Sequence, residues 1–145
     1  MTEQVKITVR GEQEFAGAEK DVTELVTGGT LTAEENGFTL EYDETAVTGM
    51  EGTHTVFRIR PGSVVLRRTG AFRSQMIFEQ DKPHRSLYET PHGAMTLDIL
   101  TRALRIDLGM DGGTLEIAYE IALGRTLCGE NYFRILVRPA APGDA

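Results

Sequence analysis

The stretch from Thr53 to Glu79 constrains the fold most, because it contains three runs in which apolar and polar residues alternate. Such alternation is typical of a β-strand with one buried face. The turn sequence Arg60-Pro61-Gly62-Ser63 separates the first two runs and brings Ile59 opposite Val64. The pairs that follow from this register are Ile59 with Val64, Phe57 with Leu66 and Thr55 with Arg68.

The second turn is interpreted as a three-residue loop, Thr69-Gly70-Ala71. This loop predicts that Arg68 lies opposite Phe72, Leu66 opposite Ser74 and Val64 opposite Met76. A register slip of one residue would move a whole strand to the other face, so a two-residue loop is rejected. Arg68 is therefore predicted to point into the protein. Four other arginines of this region are predicted to point into solvent: Arg58, Arg60, Arg67 and Arg73.

The remaining sequence repeats this pattern about every 8 to 12 residues, a spacing typical of β-sandwiches and barrels. We predict an all-β fold, an up-and-down antiparallel β-barrel of about 8 to 10 strands, because closure removes exposed strand edges. Residues 1–145 should form a single domain with an ordered core at about 4–138. Further expectations are a loop at Gly11–Lys20, a bulge or bend at Gly28-Gly29, a parity change at Thr101-Arg102, a loop at Gly124–Asn131 and an unordered tail at Pro139–Ala145.

Charge is unevenly distributed along this chain, whose net charge is −7. Residues 53–85 carry seven basic and two acidic residues, whereas residues 1–52 carry three basic and twelve acidic ones. Cross-strand salt bridges are the expected use of these charges, with Glu41 and Asp43 as partners of Arg58 or Arg60. Glu116 and Glu120 are expected to pair in the same way with Arg134 and Arg138. The overall acidity argues against nucleic-acid binding.

Targeting and redox signals are few. The one cysteine, Cys128, excludes an intrachain disulfide and fits a reducing cytoplasm. No amino-terminal signal peptide and no apolar run of membrane-helix length is recognised, so we expect a cytoplasmic protein without membrane contact. A monomer or weak homodimer is expected.

In a meander the loops alternate between two ends, and one end collects the inward-facing polar residues. These residues are Glu44, Thr55, Arg68, Ser74, Tyr88 and Thr90, with Tyr88 placed opposite Met76. The other end receives ordinary turns. An inward arginine could bind a ligand's carboxylate or phosphate through its bidentate guanidinium. Alternatively, Glu44 and Arg68 form a closed pair, since a buried charge needs a partner.

Several short motifs resemble the DUF1934 (YwiB-like) family of small bacterial proteins, from about Val5 to Val137. They are Tyr42-Asp43-Glu44, Thr48-Gly49-Met50-Glu51-Gly52-Thr53, Arg68-Thr69-Gly70, Met76-Ile77-Phe78-Glu79, Tyr88-Glu89-Thr90-Pro91-His92-Gly93 and Thr101. The resemblance implies a calycin-like, lipocalin-type β-barrel and a bacterial origin. It supplies no catalytic residue, because the family has no established biochemical function.

Residue patterns for catalysis, metals or cofactors are weak. His54, His84 and His92 lack metal-ligand spacing, and no nucleophile motif, P-loop or dinucleotide fingerprint occurs. The preferred hypothesis is therefore a non-catalytic protein that binds a small amphipathic or anionic molecule around Arg68. The alternative is a protein-interaction module that uses the outer arginines 58, 60, 67 and 73, and a hydrolase ranks last. An interior void above ~300 Å³ that reaches Arg68 would favour the ligand, and a packed interior would favour the interaction.

Overall fold

The computed structural model describes residues 2–15, 19–123 and 126–140, without the side chains of residues 15, 123 and 126–128. Ten strands and one short 3-10 turn, η1, occur in these described ranges. They are β1 Thr2–Phe15, β2 Asp21–Glu34, β3 Gly37–Asp43, η1 Ala46–Thr48, β4 Thr53–Arg60, β5 Ser63–Gly70, β6 Arg73–Phe78, β7 Pro83–Thr90, β8 Gly93–Gly109, β9 Gly112–Leu123 and β10 Thr126–Pro139.

The ten strands form a closed antiparallel barrel in which each strand pairs with its neighbours in the chain. The first and last strands close the barrel, with Ile7 opposite Val137 and Val9 opposite Ile135. The predicted all-β, up-and-down barrel is thereby confirmed. Of the described residues, none belongs to a helix long and apolar enough to cross a membrane.

The first hairpin of the central meander has the predicted register. Ile59 pairs with Val64, and Thr55 pairs with Arg68. Alternate side chains of β4 are buried from Thr53 to Ile59, as the sequence pattern requires.

The second hairpin is shifted by two residues from the prediction. Arg68 pairs with Ser74, and Leu66 pairs with Met76, so the predicted partners Phe72 and Ser74 were wrong. The reason is that β5 continues to Gly70, whose φ of 105° and missing Cβ allow its backbone to approach that of Gly52. A shift of two residues preserves the face, and Arg68 therefore still points inward.

Long strand β8 contains the predicted parity change. Its pairing with β9 shifts between Thr101 and Ala103, which marks a β-bulge. Thr101 lies on the inner face before the bulge, and Leu104 and Ile106 pack against the core after it. The bulge lets one strand supply inward side chains to both halves of the barrel.

Two expected loops belong instead to strands. Gly11 to Phe15 continues β1 and pairs with residues 129–133 of β10. Thr126 to Asn131 continues β10, in which Thr126 and Leu127 pair with β9. Cross-strand contacts explain the continuation: the Tyr132 hydroxyl donates to Glu116 Oε1 at 2.6 Å, and Asn131 lies opposite Tyr119 on β9. The other parts of these loops, residues 16–18 and 124–125, lie outside the described residues, as do tail residues 141–145 and the side chain of Cys128.

The core consists of the inward side chains of all ten strands. Fully buried members include Ile7, Leu31, Leu40, Ile59, Val64, Phe78, Ile99, Leu115, Ile117 and Ile135. Ring contacts join the walls: Phe78 lies 5.0 Å from Tyr119 and 5.9 Å from Phe133, measured between ring centroids. These ring contacts show that aromatic side chains from β6, β9 and β10 meet in the interior of the barrel.

Gly29 allows a close approach between β2 and β3. The predicted bulge at Gly28-Gly29 was wrong, since β1 and β2 pair continuously through both residues. A Cβ on Gly29 would collide with the Glu41 carbonyl oxygen and the Ile7 side chain. The glycine is needed here because no larger side chain fits between these strands.

We expect Gly29→Ala to lower the free energy of unfolding by about 1–3 kcal/mol, because the backbone of β3 must shift to accept the methyl group. Gly28→Ala is the matched control. A Cβ there would lie 3.9 Å from the Val5 carbonyl oxygen, an ordinary contact, so the change should be close to neutral. Urea denaturation of both variants measures the difference. Equal stability of the two would contradict this packing.

Candidate functional site

The predicted polar end of the barrel is built around a buried ion pair. Arg68 Nε lies 3.8 Å from Glu44 Oε2, and their side chains keep only 17% and 1% of their exposure. Thr55, opposite Arg68 on β4, is fully buried beside them. The structure thus brings Glu44, Thr55 and Arg68 together. This is the closed Glu44–Arg68 pair that the sequence analysis gave as the alternative to a ligand-binding arginine.

Glu44 is held by hydroxyl groups on two sides. The Thr55 hydroxyl donates to Glu44 Oε2, and the Thr48 hydroxyl donates to Oε1 at 3.1 Å. Thr48 is positioned by η1, whose N-cap Thr45 accepts a hydrogen bond from Val47 N. The backbone of Glu44 is also fixed, because its N–H donates to the Thr53 carbonyl at 2.8 Å. Hydrogen bonds to its charged form compensate the carboxylate for lost water.

Arg68 is less completely satisfied than its partner. A separation of 3.8 Å is an ion pair but is too long for a hydrogen bond. The buried Nε has no hydrogen-bond partner among the described residues. Leaving a buried charged donor without a hydrogen bond lowers the stability of the protein by about 1–3 kcal/mol or more. An acceptor placed beside this N–H group would remove that cost.

A cavity of about 160 Å³ reaches Arg68 from the polar end. Its walls come from β1–β5, β9, β10 and the segment that contains η1 and Met50. The lining residues include Val9, Leu25, Tyr42, Thr48, Met50, Phe57, Leu66, Arg68, Tyr119, Asn131 and Phe133. The volume does not reach the ~300 Å³ that was expected to favour a ligand, so a drug-sized molecule does not fit. It is close to the ~150 Å³ of cavities that accept benzene.

Three tyrosines line this cavity, Tyr42, Tyr119 and Tyr132, and burial acts most strongly on the first two. Burial raises the pKa of Tyr42, and the neighbouring Glu44 carboxylate adds to the effect. Burial likewise raises the pKa of Tyr119, while the positive charge of Arg68 acts in the opposite direction. Both phenols therefore remain hydrogen-bond donors at neutral pH.

Of the six predicted site residues, Arg68 lines the cavity and the other five do not. Glu44 and Thr55 contact each other in the buried group beside Arg68. Ser74 pairs with both Arg68 and Tyr88, so the predicted opposition of Tyr88 and Met76 was wrong by two residues. The Tyr88 ring packs against Phe72 instead, with centroids 6.3 Å apart. Thr90 is used in a turn, where its hydroxyl donates to the Gly93 carbonyl and accepts from His92 N.

Asn131 is a cavity residue that the sequence analysis missed. It was assigned to a loop, yet it shares the parity of Phe133, Ile135 and Val137 and is buried on β10. Its Oδ1 has no hydrogen-bond partner among the described residues, so an unused buried acceptor and an unused buried donor belong to two residues that line the cavity. Extending the alternation of β10 backwards by two residues would have identified it.

The opposite end of the barrel, expected to hold only turns, has a wider depression of about 620 Å³. Half-buried apolar side chains form its floor, and the turn residues at 35–37 and 61–62 surround it. Lining residues include Phe38, Ile59, Arg60, Gln80, Leu104, Ile106 and Leu108. Neither the buried ion pair nor any of the buried unpartnered polar atoms found in the described residues lines it.

The four outer arginines, Arg58, Arg60, Arg67 and Arg73, are exposed as predicted. Their expected salt bridges were wrong: within the described ranges, no carboxylate oxygen lies within 4.0 Å of their guanidinium nitrogens. Glu41 and Asp43 instead contact His54, at 2.9 and 2.8 Å.

The expected pairs on the other side of the barrel were also wrong. Glu116 accepts from the Tyr132 hydroxyl, and Glu120 pairs with Arg102 at 3.1 Å, instead of with Arg134 and Arg138. The part of the chain that is described contains no group of three or more His, Cys, Asp or Glu side chains placed to hold a metal ion.

Comparisons with known proteins agree on one relationship. The family model described as "Domain of unknown function (DUF1934)" matches residues 7–135. The uncharacterized β-barrel protein YwiB of Bacillus subtilis is 26% identical over 105 residues, which is 72% of each chain. The crystal structure of the YwiB protein from Bacillus subtilis superposes with a TM-score of 0.86 and 21% sequence identity, over 97% of this chain and 94% of that one.

We expect Thr55→Val to destabilise the barrel by about 1.5–3 kcal/mol, because it removes a hydrogen bond to the buried Glu44 carboxylate without changing side-chain shape. Thr101→Val is the matched control. Thr101 is equally buried, but its hydroxyl has no partner among the described residues, so its replacement should be neutral or stabilising. Chemical denaturation at neutral pH gives both values. A larger loss for Thr101→Val than for Thr55→Val would contradict the assigned contacts.

Proposed function

The chain belongs to the DUF1934 family, and from the geometry of its polar end we propose that it binds a small amphipathic carboxylate or similar anion beside Arg68, without catalysing a reaction. The observation that carries this proposal is Arg68, which lines the cavity and whose buried Nε lacks a hydrogen-bond partner in the described structure. A bound oxyanion would supply the missing acceptor, and a guanidinium favours such planar anions.

The size and lining of the cavity define the ligand further. About 160 Å³ accommodates a single ring or a short aliphatic chain, but not a lipid or a large cofactor. The apolar part would lie against Phe57, Leu66 and Phe133, and the anionic group would lie at Arg68. The neutral phenol of Tyr119 and the amide of Asn131 offer further hydrogen bonds to polar atoms of the ligand.

Glu44 sets the electrostatic conditions for binding. Its carboxylate neutralises Arg68 in the empty protein, so the end of the barrel carries no uncompensated buried charge. Two hydroxyl donors still hold the Glu44 carboxylate when Arg68 turns toward a ligand. Affinity should therefore be modest, because the ligand competes with a partner that is already present.

Two broader inferences accompany this proposal. We assign the protein to the bacterial cytoplasm, since it has one cysteine and resembles a bacterial family. We also infer a calycin-like mode of use, in which the mouth of a closed barrel accepts the ligand, as in other barrels with about eight or more strands.

Thermal-shift titration tests the proposal directly. Benzoate, phenylacetate and butyrate should raise the Tm of the wild type by about 3–5 °C at a ligand concentration roughly ten times Kd. Their neutral amides should not, because they lack the anionic group for Arg68. Failure of every carboxylate to stabilise the wild type would contradict the proposal.

Two variants locate the ligand. Arg68→Leu should abolish the carboxylate-dependent shift relative to its own baseline. Arg67→Leu makes the same chemical change one residue away on the outer face and should leave the shift intact. A shift that survives Arg68→Leu but disappears in Ile106→Asn would place the ligand in the depression at the opposite end and overturn this assignment.

A further inference from the structure

A second surface with chemistry of its own lies on the outside of the barrel, across β4, β5 and β6. It is a groove of about 580 Å³, here called the arginine groove. Its lining residues are Val56, Arg58, Arg60, Ser63, Val65, Arg67, Thr69 and Gln75. Three guanidinium groups therefore surround a floor of two half-buried valines, with hydroxyl and amide groups between them. The fourth outer arginine, Arg73, lies opposite Glu89 and does not line the groove.

Among the residues that the structure describes, no carboxylate pairs with the three arginines of the arginine groove. In the register of β3 with β4, Thr39 lies beside Arg58 and Glu41 lies beside Val56. By the strand register, Glu41 is close enough to form a salt bridge with Arg58, but it contacts the imidazole of His54 instead. The imidazole contacts Glu41 Oε1 at 2.9 Å and Asp43 Oδ1 at 2.8 Å.

This arrangement leaves the arginines available. Asp43 and then Glu41 raise the pKa of His54, which favours the imidazolium that can donate to both carboxylates at once. Unpaired like charges on neighbouring strands repel each other, and such an arrangement is destabilising unless a partner compensates it. A binding partner that carries negative charge would provide that compensation.

We propose that the arginine groove binds an acidic segment of another protein, in an extended conformation with acidic residues at alternate positions. Successive side chains on one face of a strand lie about 6.8 Å apart, so Arg58 and Arg60 present charges at the repeat of an extended chain. Valine side chains on the floor suit an apolar residue of the segment, and Ser63, Thr69 and Gln75 can hydrogen-bond its backbone.

The strands under the groove also define how the partner binds. β4 and β5 are each paired on both sides, so a partner cannot add itself as a new strand there. It must lie across the outer face and bind through side chains. Recognition then depends on charge, which makes binding sensitive to salt.

Nucleic acid fits this surface less well than an acidic peptide. None of the eight residues lining the groove is aromatic, so it offers no platform for stacking bases. A long phosphate backbone that followed β4 beyond the groove would meet Asp43 and Glu41, and the whole chain has a net charge of −7. A short acidic segment avoids both obstacles.

Fluorescence anisotropy with a short labelled peptide of alternating Glu and Val tests the proposal. The wild type should bind it, with affinity that falls at high salt, and should not bind the same peptide with Gln in place of Glu. Reversing two charges with Arg58→Glu and Arg67→Glu should weaken binding by about tenfold or more. The matched control, Arg105→Glu with Arg138→Glu, changes the net charge equally at exposed sites on β8 and β10 and should bind like the wild type.

Each other result contradicts the proposal. Absence of peptide binding by the folded wild type would remove it, and so would equal losses in the two double variants, which would indicate unspecific attraction. Binding of a single-stranded oligonucleotide in preference to the peptide would identify a nucleic-acid surface instead. Thermal melts of all variants separate loss of binding from loss of folding.

Discussion

Closure of the barrel is the constraint on which the rest of this structure depends. In a closed sheet, every second side chain points to the interior, whatever its chemistry. Apolar residues fill the centre, so the polar residues that alternation also places inside collect at one end and must find partners there. Glu44 and Arg68 are the two that carry charge, and they pair because a lone buried charge costs several kcal/mol.

That pairing explains why the polar end is stable, and also why one hydrogen-bond donor there has no partner. Glu44 receives two hydroxyl hydrogen bonds and an ion pair, whereas Arg68 keeps an unpartnered Nε at the edge of a cavity. The asymmetry arises because Glu44 lies among threonines of β4 and η1, while Arg68 faces aromatic and aliphatic side chains. One partner is satisfied by the fold, and the other has capacity left for a ligand.

On the outer surface, His54 and the arginines of β4 compete for the same carboxylates of β3. His54 takes both carboxylates of β3 that could have neutralised the arginines of β4. Arg68 and the arginine groove lie on opposite faces of β5, since Arg68 and Arg67 are neighbours in that strand. The alternation along β5 thus places one arginine in the interior of the barrel and its neighbour on the outer surface.

Sequence periodicity was sufficient to predict the barrel with about 8 to 10 strands and the inward direction of Arg68, because a two-residue repeat fixes the face of each side chain. It could not predict the register of the second hairpin, since a shift of two residues leaves every face unchanged. Asn131 was missed because polar residues inside a strand look like a loop until cross-strand pairing with Tyr119 is known. The partners of surface carboxylates depend on side-chain conformations, and periodicity does not encode them.

A double-mutant cycle on Glu44→Leu and Arg68→Leu tests the central claim most directly. If the two side chains form the buried pair, each single variant leaves an unpaired charge and loses about 3–5 kcal/mol of unfolding free energy. The double variant should then lose much less than the sum, with a coupling energy above about 1.5 kcal/mol. Additive effects, with coupling below about 0.5 kcal/mol, would show that Arg68 is not the partner of Glu44 and would contradict the account.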